Sequence, residues 1–146
     1  MKADTRTETA VMERLDAFFN AFARRDLEAL LAHFTSDPDV VIIGWGVDER
    51  RIGPAEIRTQ VERDWSQTEA ASFEYTWTSV SAANGVAWVA AETLAHATSD
   101  GEEMHFPGRL TAVLEQRGEQ WLIVQAHFSL PSVGQTEGES WPTLVA

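Results

Sequence analysis

The stretch GRLTAVLEQRGEQWLIVQAHFSLP, from Gly108 to Pro131, restricts the possible folds more than any other part of the chain. Two runs rich in strand-forming residues flank Gln116-Arg117-Gly118-Glu119-Gln120, a sequence suited to a turn, so the pair reads as a long antiparallel hairpin. In the second run Trp121, Ile123, Gln125, His127 and Ser129 alternate with Leu122, Val124, Ala126, Phe128 and Leu130. Successive side chains on a strand point to opposite faces, so one face is wholly apolar and the other mixes hydrophobes with Gln and His. Such a strand needs a core on one side and a semi-polar surface on the other.

Turn chemistry extends this hairpin upstream into a meander. The runs Phe73 to Ala82, Val86 to Thr98 and Met104 to Gln116 are separated by Asn84-Gly85 and Asp100-Gly101, dipeptides suited to the type I′ turn with its positive φ at both central residues. The first half of the chain has helical periods instead. Thr5-x-x-Glu8 reads as a capping box ahead of Val11, Leu15, Phe18 and Phe22, giving a helix to about Arg25. Asp26 caps a short second helix that buries Leu27, Leu30, Leu31 and Phe34. Asp37-Pro38-Asp39 is a stop, Val40 to Trp45 a strand, and Gly53-Pro54 opens a third helix with Ile57, Val61 and Trp65 as its apolar stripe. The expected architecture is α+β and cone-shaped, with three N-terminal helices packed on a curved, mostly antiparallel sheet. At 146 residues, one domain spanning 1–146 is expected.

The ending of the hairpin, Trp121-x-Ile123-Val124-x-x-His127-x-Ser129, resembles that of SnoaL-like domains in the nuclear transport factor 2-like superfamily. So do the aspartate-rich entry into a strand at Asp37-Pro38-Asp39-Val40-Val41-Ile42-Ile43-Gly44, the glycine before a helix at Gly53, and Arg63-Asp64-Trp65. The resemblance continues at Ala87-Trp88-Val89, at Gly108 to Thr111, and in the tail Gly138-Glu139-Ser140-Trp141-Pro142-Thr143. It implies the cone fold for nearly the whole chain. It implies less about chemistry, because the superfamily hosts isomerases, cyclases, dehydratases, carriers and oligomerisation hubs. Gln125 stands where a first histidine is common, a departure that removes the His-x-His pair.

Charge and composition exclude several function classes. Eleven basic residues against 23 acidic ones give a formal net charge of -12, which disfavours nucleic acid and anionic membranes as partners. The absence of cysteine excludes thiol and disulfide chemistry. A polar N-terminus and the lack of a long apolar run make a cytoplasmic location the expectation. His33, His96, His105 and His127 show no metal-ligand spacing, and no Gly-rich phosphate loop occurs, so neither metal nor cofactor is expected.

Strand register decides which residues form a site. Pairing outward from Asn84-Gly85 sets Trp77 opposite Glu92. Carried straight on, the later turns would add Arg109 and His127 to one polar row. Pro107-Gly108 within the Met104 to Gln116 strand, however, suggests a bulge, since proline lacks a ladder donor and glycine often marks an inserted residue. With the bulge, Trp77, Trp88, Ala90, Glu92 and Leu94 share the concave face with Leu110, Ala112, Leu114, Val124, Ala126 and Phe128. A small hydrophobic, mostly planar molecule would then contact Tyr75, Trp77, Trp88, Leu110 and Phe128. Glu92, in apolar surroundings that raise a carboxyl pKa, is the catalytic candidate; its alternative role is structural, bonding a helix side chain. Arg109, Thr111, Gln125 and His127 would form the face of a homodimer, too apolar for solvent and too polar for a core, with an anion site as the alternative reading of Arg109, Gln125 and His127.

Three functions stay open. One is a binding domain with an aromatic-lined pocket. A second is an acid–base enzyme on a hydrophobic ring substrate, similar to the polyketide cyclases and ketosteroid isomerases that the resemblance brings in. Those relatives use pocket aspartates, sometimes with a tyrosine on the first helix; here that helix offers Phe18, Phe19, Asn20 and Phe22, leaving Glu92 with Tyr75 or His96. The third is an association module similar to that of calcium/calmodulin-dependent kinase II.

Overall fold

Asn-Gly and Asp-Gly turns form where the sequence marks them, with φ of 51° and 77° at Asn84 and Gly85 and 52° and 77° at Asp100 and Gly101. The computed structural model describes residues 1–143. In chain order come α1 (Thr5–Arg24), α2 (Leu27–Leu31), β1 (Val41–Ile43), β2 (Arg50–Ile52), α3 (Pro54–Ser66), β3 (Ala70–Ala83), β4 (Val86–Ser99), β5 (Glu102–Arg117) and β6 (Gln120–Ser129). The strands form one six-stranded sheet in the order β2-β1-β6-β5-β4-β3. Only β1 and β6 run parallel. Three helices on a curved, mostly antiparallel sheet make an α+β fold, as expected. No helix among the described residues is long and apolar enough to cross a membrane.

Local details depart from expectation for physical reasons. Helix α1 is capped by Asp4, whose Oδ1 accepts from the Thr7 N–H at 2.7 Å, one residue ahead of the expected Thr5. A carboxylate at the positive end of a helix gains more than a hydroxyl does. Asp26 caps α2 as expected, accepting from the Ala29 N–H at 3.1 Å. The expected Val40 to Trp45 strand is shorter because the chain turns back after Gly44, whose N–H donates to the Glu49 carbonyl at 2.8 Å. That turn creates β2, a three-residue strand containing two arginines, too short and too charged to leave a period in the sequence.

The register around Pro107-Gly108 corrects the expectation. No bulge forms there: β4 and β5 pair without interruption from Val86↔Glu115 to Ser99↔Glu102, which sets Glu92 opposite Arg109. Gly108 instead permits a close approach. A Cβ there would lie 3.0 Å from Thr93 Oγ1 and 3.3 Å from the Ser129 carbonyl. Pro107 is tolerated because β6 begins to pair with β5 only at Arg109, leaving the strand beside Pro107 with an open side. The bulges lie elsewhere, at Thr76 in β3 and Val124 in β6. Each inserted residue reverses the facing of the strand beyond it.

As a result the inner face carries Ala87, Val89, Ala91, Thr93 and Ala95 from β4, and Leu110, Ala112 and Leu114 from β5, all buried. Against it pack Val11, Leu15, Phe18 and Phe19 of α1, Leu30 of α2, and Ile57 and Val61 of α3. Of the five β4 residues just named, three are alanines. Their small side chains on the concave side leave space beneath the aromatic face of α1.

Candidate functional site

That space is a cavity of about 310 Å³ between α1, α3, the turn joining β1 to β2, and the inner face of the sheet. Its walls are aromatic. Phe18, Phe19 and Phe22 descend from α1, Phe73 and Phe128 rise from β3 and β6, and Trp45 stands at the β1–β2 turn. Helical spacing brings Phe18 and Phe22 to one side of α1, and Phe19 completes the wall. Phe19 stacks on Phe73 with centroids 4.8 Å apart, Phe22 meets Phe73 edge-on at 5.7 Å, and Phe18 lies 6.3 Å from Phe128. Ala71, Ala95 and Ala97 form the floor. Trp45 is held by an edge contact with Phe106 at 5.5 Å.

One end of the cavity is polar, and α3 builds it. Gln60 and Asp64 are one turn apart and so share a helix face. Gln60 is 4% exposed. Its Oε1 accepts from Arg51 Nε at 2.9 Å, and its Nε2 donates to Asp64 Oδ1 at 2.7 Å and to Glu49 Oε1 at 3.1 Å. Glu49 Oε1 also accepts from Arg63 Nη2 at 2.9 Å, and its other oxygen accepts from the Gly46 N–H at 2.8 Å. A Cβ at Gly44 would run into the Glu49 carboxylate, so a larger residue there would push that carboxylate aside. Arg63 is further spent on Asp48 at 2.8 and 3.2 Å.

Asp64 differs from its neighbour. Burial, with Glu49 adding to it, raises its carboxyl to about 6, although the Gln60 hydrogen bond and the charges of Arg63 and Arg51 pull the other way. Among the described residues, nothing donates to its Oδ2. A carboxyl on an aromatic cavity that exchanges a proton near neutral pH can act as an acid or a base, or accept a hydrogen bond from a ligand.

The model of one family, described as a SnoaL-like domain, matches residues 11–132. The chain belongs to the SnoaL-like domain family. Its fold is similar to that of a nuclear transport factor 2-like superfamily protein from Salmonella enterica serovar Typhimurium, with a TM-score of 0.82 and 16% identity over 95% of this chain and 100% of the other. A candidate dehydratase of the same superfamily from Streptomyces avermitilis gives 0.77 and 20% identity, covering 86% and 97%. A candidate calcium/calmodulin-dependent protein kinase II association domain from Xanthomonas campestris gives 0.76 and 20%, covering 90% of each. At these identities the likeness is one of fold. No curated protein matches.

Within this SnoaL-like domain the sequence-predicted residues scatter over three places. Phe128 lines the cavity. Tyr75 lies behind the wall, edge-on to Phe19 at 5.5 Å; its buried hydroxyl has no partner among the described residues, and burial holds its pKa above the usual phenol value. Leu110 is core, 1% exposed. Trp77, Trp88 and Glu92 are on the outer face, against expectation. Thr76 is the inserted residue that turns Trp77 outward, and the uninterrupted β4–β5 register does the same for Glu92 and Trp88. The two tryptophans are 52% and 39% exposed. Arg109, Thr111, Gln125 and His127 are on the outer face, all exposed, with Thr111 beside His127.

The residues that build the polar end were missed. One signal for them existed. Gln60 falls three residues after Ile57, in phase with the apolar stripe of α3, and a polar residue in a buried phase marks a hydrogen-bonded site.

Proposed function

We propose that this SnoaL-like domain binds a hydrophobic, mostly planar small molecule in the cavity walled by Phe18, Phe19, Phe22, Phe73 and Phe128. The supporting observation is the cavity itself, about 310 Å³ with aromatic walls and one small polar end, within the size range of small-molecule sites. A neutral solvatochromic naphthalene dye is expected to bind and shift its emission to the blue. Ala97→Phe, which fills the floor from a half-buried position, is expected to weaken that binding by about tenfold or more while leaving the circular dichroism spectrum unchanged. Equal binding by the two proteins would place the dye elsewhere and remove this support.

A second reading, acid–base catalysis on a ring substrate, is favoured by Asp64 with its carboxyl raised to about 6. Asp64 takes the role expected of Glu92, which sits across the sheet from the cavity. The Streptomyces protein named as a candidate dehydratase fits this reading.

We also propose a homodimer through the outer sheet face. Arg109, Thr111, Gln125 and His127 lie there with the exposed rings of Trp77 and Trp88, a mixture suited to a two-fold, self-complementary interface. Sedimentation is expected to give twice the chain mass at micromolar concentration, and Thr111→Arg to give the monomer. A wild-type monomer under those conditions would count against the dimer.

A further inference from the structure

The polar end of the cavity is built almost entirely from acceptors. Gln60 is the one buried group there with hydrogen-bond donors, and both are used, on Asp64 Oδ1 and Glu49 Oε1. Its amide cannot turn over to offer the carbonyl instead. Arg51 has only donors and fixes Oε1, while the two carboxylates require the NH₂ on their side. Thr68 Oγ1 is likewise spent, donating to the Asp64 carbonyl at 3.0 Å. No lysine or arginine lines the cavity among the described residues; the carboxylates that do are Glu49 and Asp64, and His96 lines the sheet side, engaged with His105 at 2.7 Å and Glu74 at 3.6 Å. Arg63 neutralises Glu49 at 2.9 Å. Among the described residues no salt bridge reaches Asp64, and its Oδ2 remains open to a ligand.

This inventory selects the ligand. At the polar end a carboxylate or phosphate would meet two acidic groups and no lysine or arginine of the lining. With Asp64 ionised, as it is above about pH 6, a ring ketone would find no free donor at the buried end for its oxygen, and an unpaired acceptor buried there is costly. A protonated amine satisfies every requirement. It donates to Asp64 Oδ2, supplies the charge that this carboxylate lacks, and sits among ring faces that attract cations. Resting on the cavity reading above, we propose that the ligand of this site is a hydrophobic aromatic amine, bound through its ammonium group to Asp64 Oδ2.

Three compounds on one skeleton test this: naphthylmethylamine, naphthalenemethanol and naphthoic acid, titrated calorimetrically at about pH 7.5, where the amine is charged. The amine is expected to bind about tenfold or more tighter than the alcohol, and the acid weakest of all. In Asp64→Asn the amine should lose its advantage while the alcohol binds as before. Equal affinity for amine and alcohol, tightest binding of the acid, or an amine preference that survives Asp64→Asn would each overturn the amine proposal and leave the cavity as a binding site. Failure of all three compounds to bind would overturn the cavity reading, and the amine proposal with it.

Discussion

Replacing Phe18 with alanine is expected to destabilise the fold by about 3–4 kcal/mol, measured by urea unfolding with the slope unchanged. Phe18 is 6% exposed and its ring ties α1 to β6 and to the segment that follows α2. It tilts against Phe19 at 5.2 Å, meets Phe34 edge-on at 5.5 Å and approaches Phe128 at 6.3 Å. Large-to-small substitutions cost most where the surroundings cannot collapse into the hole. Here the hole would join an existing cavity whose rigid aromatic walls have little room to relax. A loss below about 1 kcal/mol would mean that these rings do not pack as a unit.

Asp64→Asn is expected to have the opposite sign, stabilising the protein at alkaline pH. The folded-state carboxyl is raised from 3.8 to about 6. Between those values the native state holds more protons than the unfolded chain, so stability falls as pH rises. The contribution of Asp64 is therefore fully present below about pH 4 and is lost as pH passes through about 6. Asparagine keeps an oxygen for the Gln60 amide and carries no charge. Because Asp64 is partly solvated, the expected gain is about 1–2 kcal/mol at pH 8, discounted from the full shift, and close to none at pH 4. His33, whose pKa is lowered by burial and then by Arg14 and Arg24, titrates in both proteins and cancels. Parallel stability profiles for the two proteins across this range would show that Asp64 is not perturbed. A gain would identify Asp64 as a residue kept at a cost in stability, as binding and catalytic groups commonly are.

Phe18 and Asp64 differ in how far the sequence discloses them. Phe18 was legible, since its place with Val11, Leu15 and Phe22 follows from helical spacing alone. So were the hairpin turns, because Asn-Gly and Asp-Gly state their backbone geometry directly. Faces on the sheet were not. They depend on the parity of every residue between a turn and the position in question, so one inserted residue moves a whole strand's side chains. Proline and glycine, the usual marks of a bulge, stand at Pro107-Gly108, whereas the real bulges sit at Thr76 and Val124, ordinary strand residues. Glu92 was misplaced for this reason, and Trp77 and Trp88 with it. The polar end was hidden differently. Glu49, Arg51, Gln60 and Asp64 come together only through the β1–β2 turn, whose second strand is three residues long.

The bulge at Thr76 divides β3 into two halves that are out of phase, Phe73 and Tyr75 turned inward on one side and Trp77 outward on the other. Strand length at this point thereby becomes heritable information about the lining of the cavity. Loss of a single codon here would exchange wall for surface along half a strand, a change that a series of substitutions could reach only residue by residue. Within such a lineage, ligand preference can move in one step by altering how many residues a strand contains, with the fold's helices and remaining strands left as they are.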